Sequence, residues 1–171
     1  MKETPSRRLT LPKSCKLRHR SLVEPLFSGG KGVYDFPLRI VWRPLGDEEL
    51  TASFRDHIPD RIGALQMMIT VPKKKRRHAV DRVLMRRRIR EAFRLHRGDL
   101  CEAVSRSKDI RTLSMAIIYQ SNENLPFSKI EKSMIHLLSK ISRRLFEPKG
   151  DATPTVAEVN NSYSVPQEPK P

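Results

Sequence analysis

Residues Lys73 to Arg97 read KKKRRHAVDRVLMRRRIREAFRLHR. Twelve of these 25 residues are Lys or Arg and only Asp81 and Glu91 are acidic, so more than a third of the 34 basic residues of the chain lie in this one segment. From Ala79 to His96 there is no Gly or Pro, and most of the residues are good helix formers. The pattern predicts a basic loop, Lys73, Lys74, Lys75, Arg76 and Arg77, feeding a helix. At about 100° per residue, Arg86, Arg87, Arg90, Arg94 and Arg97 share roughly a third of the circumference, with Met85, Ile89, Ala92 and Phe93 on the other side. One face packs, and the other is a solvated charged face or meets a ligand. Guanidiniums held on one rigid face repel one another, and only Glu91 is near enough to offset them, which favours a polyanion as the partner.

Composition bounds the remainder. A chain of 171 residues predicts one domain with tails, large enough to fold unaided. The net charge of +15 says that the partner is anionic and says nothing about fold. Cys15 and Cys101 are too few for a disulfide framework or a zinc site, which fits a reducing compartment. The N-terminus has positive charge with no apolar run behind it, and no window approaches a membrane span of about 18 apolar residues. A soluble, cytoplasmic protein is expected.

Working outward, residues 1–12 read as a disordered lead-in, 13–146 as the folded domain, and 147–171, with five prolines, as a disordered tail. Ser21 with Glu24 forms a capping-box pattern ahead of a short helix carrying Leu22, Val23, Leu26 and Phe27 and ended by Gly29-Gly30. Phe36, Leu38, Ile40 and Trp42 alternate as a half-buried strand. Gly46 to Glu49 reads as a turn before a short second strand, Leu50 to Phe54. Leu65, Met67, Ile69 and Val71 form a third strand, and Leu113, Met115, Ile117 and Tyr119 a fourth. Gly98 stops the arginine helix and Ser105 to Lys108 is a linker, with Cys101 and Val104 able to continue the helical face. A last helix has Ser128 and Glu131 as a capping box and Ile130, Met134, Leu137, Leu138, Ile141 and Leu145 as its buried stripe. The result is a single α+β domain, a four-stranded sheet with three helices in the order α-β-β-β-α-β-α.

Catalytic signatures are missing. There is no Gly-rich phosphate loop, no Ser-His-Asp or Cys-His arrangement, and no HExxH or CxxC. The segment Arg55-Asp56-His57-Ile58-Pro59-Asp60 invites a metal guess, but a solvated loop is the simpler reading because nothing else supplies convergent ligands. The residues describe a nucleic-acid-binding protein whose catalysis comes from its partner. Two other classes stay open: a ribosomal or other RNA-packaging protein, and a metal-dependent nuclease in which Asp56, Asp60 and Glu49 converge.

The arginine segment resembles the bacterial ribonuclease P protein component. That family carries K-x-A-V-x-R-N-R-x-K-R-x-x-R-E on a helix behind a strand ending in Lys-Lys. Here Val71-Pro72-Lys73-Lys74, Ala79-Val80, Arg82, Arg86-Arg87 and Arg90-Glu91 match in order and spacing, while Val83-Leu84 replaces the usual Asn-Arg and Arg88 is additional. Leu17, Val23, Phe27 and Gly30 occupy the places of the family's opening segment. The resemblance implies the family's fold, shared with a ribosomal protein domain, and a left-handed β-α-β crossover where general chain physics favours a right-handed one. It implies a subunit that joins a large catalytic RNA to remove the 5′ leader of precursor tRNA, with Mg2+ ions held mainly by the RNA and no membrane or further protein partner required. By the same resemblance, Lys73 to Arg77, Arg82, Arg86, Arg87, Arg90 and Arg94 dock on RNA. A cleft between the sheet and the first helix takes the leader through Phe27, Tyr34, Phe36 and Arg39, although Phe27 and Phe36 equally suit a core.

Overall fold

Two apolar clusters lie on opposite faces of one sheet, and its two central strands feed both. The structure, a computed structural model, describes residues 11–54, 58–59 and 62–146. The described elements run α1 (Arg20–Gly29), β1 (Lys31–Asp35), β2 (Leu38–Leu45), α2 (Asp47–Ser53), β3 (Leu65–Thr70), α3 (Ala79–His96), α4 (Gly98–Arg106), β4 (Thr112–Tyr119) and α5 (Phe127–Phe146), after a short 3-10 turn at Lys13–Cys15. The sheet order is β1-β2-β4-β3, antiparallel except for the parallel β3–β4 pair. That parallel pair is joined through α3 and α4, the helical crossover that parallel strands require.

Because side chains alternate across a strand, β4 sends Leu113, Met115, Ile117 and Tyr119 to one face and Ala116 and Ile118 to the other. The first face packs under α3, α4 and α5 through Met85, Ile89, Ala92, Phe93, Leu100, Val104, Ile130, Met134, Leu137 and Ile141. The second packs under α1 and α2 through Leu22, Leu26, Leu45 and Leu50. The packing side read from the arginine helix is therefore the buried one: Met85, Ile89, Ala92 and Phe93 are all fully covered. At the β3 edge, Leu17 donates its backbone N–H to Met67 (2.9 Å), which covers part of an otherwise open strand.

Several expectations need correction. The strand predicted from Phe36 to Trp42 is the second arm of a hairpin: the chain turns at Phe36-Pro37, joined by a cis peptide, and an unforeseen strand, Lys31–Asp35, pairs with it. β1 lies at the sheet edge and buries only Val33, so it shows no apolar alternation. The predicted strand Leu50 to Phe54 is mostly helix α2, whose first turn holds Asp47, Glu48 and Glu49. Three carboxylates at the positive end of a helix favour that state, and only Leu50 needs full burial. Gly98 does not stop the helical path, because Arg97 keeps helical angles and α4 follows at once, burying Leu100 and Val104 and taking in Ser105 and Arg106 from the predicted linker. Five α-helices thus stand where three were expected. Neither capping box forms. His19 is the N-cap of α1 and Glu24 instead accepts from Arg20 Nε (2.6 Å), while Glu131 faces His96 Nε2 at 2.7 Å. Residues 1–10 of the predicted lead-in and the tail 147–171 lie outside the described residues.

Candidate nucleic-acid interface

The chain leaves the edge strand β3 through Val71-Pro72 and turns at Lys73 to Lys75, with the N–H groups of Lys75 and Arg76 both donating to the Pro72 carbonyl (3.0 Å each). Arg82, in the first turn of α3, reaches back and donates to the carbonyls of Arg76 (3.0 Å) and Arg77 (2.6 Å). Asp81 takes Arg76 Nη2 on one carboxylate oxygen and Asn124 Nδ2 on the other, both at 2.7 Å. The Asn124 hydrogen bond, then the Arg76 guanidinium, hold the Asp81 carboxyl below the usual carboxylate range. Arg76 also donates to the Asn122 carbonyl and Arg88 to that of Leu125. Arg76, Arg82 and Arg88 therefore tie the basic turn and the β4–α5 loop to the start of α3.

This divides the ten predicted RNA-binding residues into groups. Lys73, Lys74, Lys75, Arg77, Arg86, Arg87 and Arg90 make no side-chain hydrogen bond or ion pair among the described residues, and most of them are exposed. Arg94 grips Glu91 with Nε (2.9 Å) and Nη2 (2.5 Å), and that contact lowers the Glu91 carboxyl and raises the Arg94 guanidinium. Arg76 and Arg82 are committed to their own chain. Arg88, additional to the family pattern, points to the Leu125 carbonyl and does not stand in for a docking arginine. Leu84 packs partly against the core, and Val83 lies exposed beside Val80, which is 78% accessible. An apolar strip therefore flanks the free guanidiniums.

On the sheet, Val33, Leu38 and Ile40 enter the core beneath α3 and α5, so Tyr34 and Arg39 point to the opposite face, where they are cross-strand partners. Arg39 is paired in turn with Ile118, and Ile118 with Thr70, the last residue of β3. The four make one row across the sheet, ending three residues before the basic turn. α1 covers Val41 and Ala116 of the adjoining row, whose β1 member is Gly32. Tyr34, Phe36 and Phe27 are 55%, 48% and 39% accessible, so none is a core residue. Tyr34 and Arg39 come together, Phe27 lies on the open flank of α1, and Phe36 turns toward α5, where Lys129 Nζ stands 5.4 Å from its ring centroid. Ile118 and Thr70 carry no signal in the sequence, because one sits inside an apolar strand and the other at a strand end.

No group of three or more His, Cys, Asp or Glu side chains converges among the described residues. Of the carboxylates invoked for a nuclease, Glu49 pairs with Arg43 at 3.2 Å, and Asp56 and Asp60 lie outside the described residues, as does His57. No described helix is long and apolar enough to cross a membrane.

The sequence model of the Ribonuclease P family matches residues 11–142. A ribonuclease P protein component of Porphyromonas gingivalis is 30% identical over 132 residues, which cover 77% of this chain and 86% of that one. Among solved structures, the RNase P protein of Staphylococcus aureus is 18% identical with a TM-score of 0.52, covering 75% of this chain and 96% of its own. The RNase P protein from Thermotoga maritima is 19% identical with a TM-score of 0.51, covering 73% and 96%.

Proposed function

Since the chain belongs to the ribonuclease P protein family, we propose that it is the protein subunit that joins a catalytic RNA in the cytoplasm to remove the 5′ leader of precursor tRNA. The observation that carries this reading is the exposed side of α3 and its leading turn, where seven Lys and Arg side chains have no partner within the described chain. Each guanidinium can fork two hydrogen bonds to a phosphate, and each neutralised phosphate releases counterions. Docking of this face on the RNA backbone near its reactive centre lowers the Mg2+ needed there. The described residues offer this ion no cluster of ligands, and the reading assigns it to the RNA, where it supplies the activation of water. The protein's own share is electrostatic and positional.

The row Tyr34, Arg39, Ile118, Thr70 suits an extended single strand. Stacking on an aromatic is worth about 1–3 kcal/mol per base and tolerates any sequence, which fits an enzyme that meets many leaders. Tyr34 supplies the ring, Arg39 a phosphate partner, and Phe27 a second ring from α1.

The test is leader removal at low Mg2+ with a bacterial ribonuclease P RNA, with and without this protein. Strong stimulation, with no cleavage by the protein alone, is expected. Tight RNA binding without stimulation would refute the reading and leave an RNA-packaging role.

A further inference from the structure

The arginine helix is not the only single-sign face. α5 carries Lys129, Lys132, His136, Lys140 and Arg143 at spacings of three and four residues, which places them within about 80° of its circumference. Arg144 stands beside them. All are exposed except Lys140, which is half-buried. This stripe lies against the outer edge strand: Lys129 sits over Phe36, Ser133 Oγ donates to the Asp35 carbonyl (2.6 Å), and Arg144 Nη1 donates to the Gly32 carbonyl (3.3 Å). Two carboxylates belong to these elements. Asp35 is engaged by His136 Nδ1 at 3.3 Å, and Glu131 faces away toward His96. Lys132 and Lys140 have no ion-pair partner among the described residues.

The stripe begins where the candidate leader row ends. Tyr34 faces one side of the sheet and Phe36, two residues on, faces the other, so the β1–β2 hairpin is a corner between the row and α5. The apolar side of α5 is spent in the core and only Ile135 and Phe146 stay exposed, too little apolar surface to enter a lipid interface, which favours a phosphodiester backbone. We propose that the flank of α5 from Lys129 to Arg144, about 22 Å long, holds the upstream part of the 5′ leader after it rounds the hairpin. The contact is made to phosphates and is independent of sequence. It rests on the function proposed above and extends it to precursors with long leaders.

The experiment compares two precursors, one whose leader ends at the hairpin and one long enough to follow α5, in complexes of the RNA with wild-type protein or with Lys132→Glu/Lys140→Glu. With wild type, the long leader binds more tightly and with a steeper salt dependence. In the variant that advantage disappears and the slope for the long leader falls by about 1.4, at roughly 0.7 per phosphate on a single strand, while short-leader cleavage stays at the wild-type level. A retained advantage overturns the proposal, as does its absence in wild type. Equal loss with both leaders also overturns it and assigns the flank to the catalytic RNA. Lys132→Gln/Lys140→Gln, checked by thermal melting, separates charge from misfolding and should remove most of the advantage. If wild type fails to stimulate even short-leader cleavage, it is the subunit reading that has failed.

Discussion

Removing the free arginines of α3 and removing Arg88, which is tied to its own chain, should have opposite signatures. Arg86, Arg87 and Arg90 have no partner in the described chain, so replacing all three by Ala leaves the fold's hydrogen bonds intact and removes three cations from the proposed docking face. At about 0.9 per phosphate contact, the slope of log affinity against log salt should fall by about 2.7. The melting temperature should hold or rise, because mutual repulsion is relieved. Arg88→Ala instead deletes the tie to the Leu125 carbonyl. A charge-assisted hydrogen bond of this kind is worth about 1.5 kcal/mol at the lower end of its range. For a domain of this size that is a fall of roughly 3–6 °C, with the salt slope unchanged. The assay is filter binding to a bacterial ribonuclease P RNA over a KCl series, alongside thermal melts of the free proteins. If Arg88→Ala flattens the slope as much as a single free arginine does, or the triple variant keeps the wild-type slope, the division into docking and structural arginines is wrong.

Three further outcomes are expected. Asp81, with its carboxyl lowered by Asn124 and Arg76, stabilises the fold above its ordinary value of 3.8 and loses that contribution as pH falls through the depressed one; urea midpoints of wild type should therefore drop more between neutral pH and about pH 3 than those of Asp81→Asn. Tyr34→Ala should weaken precursor binding to the assembled complex by about 1–3 kcal/mol, with affinity for the RNA subunit unchanged in a direct titration. Gly30→Ala should destabilise strongly in a denaturant melt, since its Cβ would stand 2.2 Å from the Leu26 carbonyl oxygen and 2.8 Å from Val41 Cγ1.

What the sequence discloses depends on how one-sided each element's surroundings are. α3 was legible because a wholly buried stripe and a charged stripe share one helix, and β3, β4 and α5 were legible from long apolar patterns. β1 was not, because an edge strand with one buried residue carries almost no pattern. α2 misled because Leu50 to Phe54 is short enough to suit either period, and the acidic run before it reads equally as a turn or as the first turn of a helix. At the interface, counting charges could not separate Arg82 and Arg88 from Arg86, Arg87 and Arg90. That distinction lies in backbone carbonyls of distant loops, which leave no mark on residue type. The basic stripe of α5 is present in the spacing, but the apolar stripe of the same helix accounts for the helical pattern by itself.

β4 supplies side chains to both apolar clusters and is hydrogen-bonded to β2 on one side and β3 on the other. The two halves of the molecule therefore cannot melt independently, and denaturation should be a single cooperative step reported equally by probes beneath α1 and beneath α3. During synthesis the arginine helix emerges well before this strand does. Strand β3 joins the sheet only when residues 112–119 leave the ribosome, and α5, against which the arginine helix packs, follows later still, so the buried side of that helix is covered late.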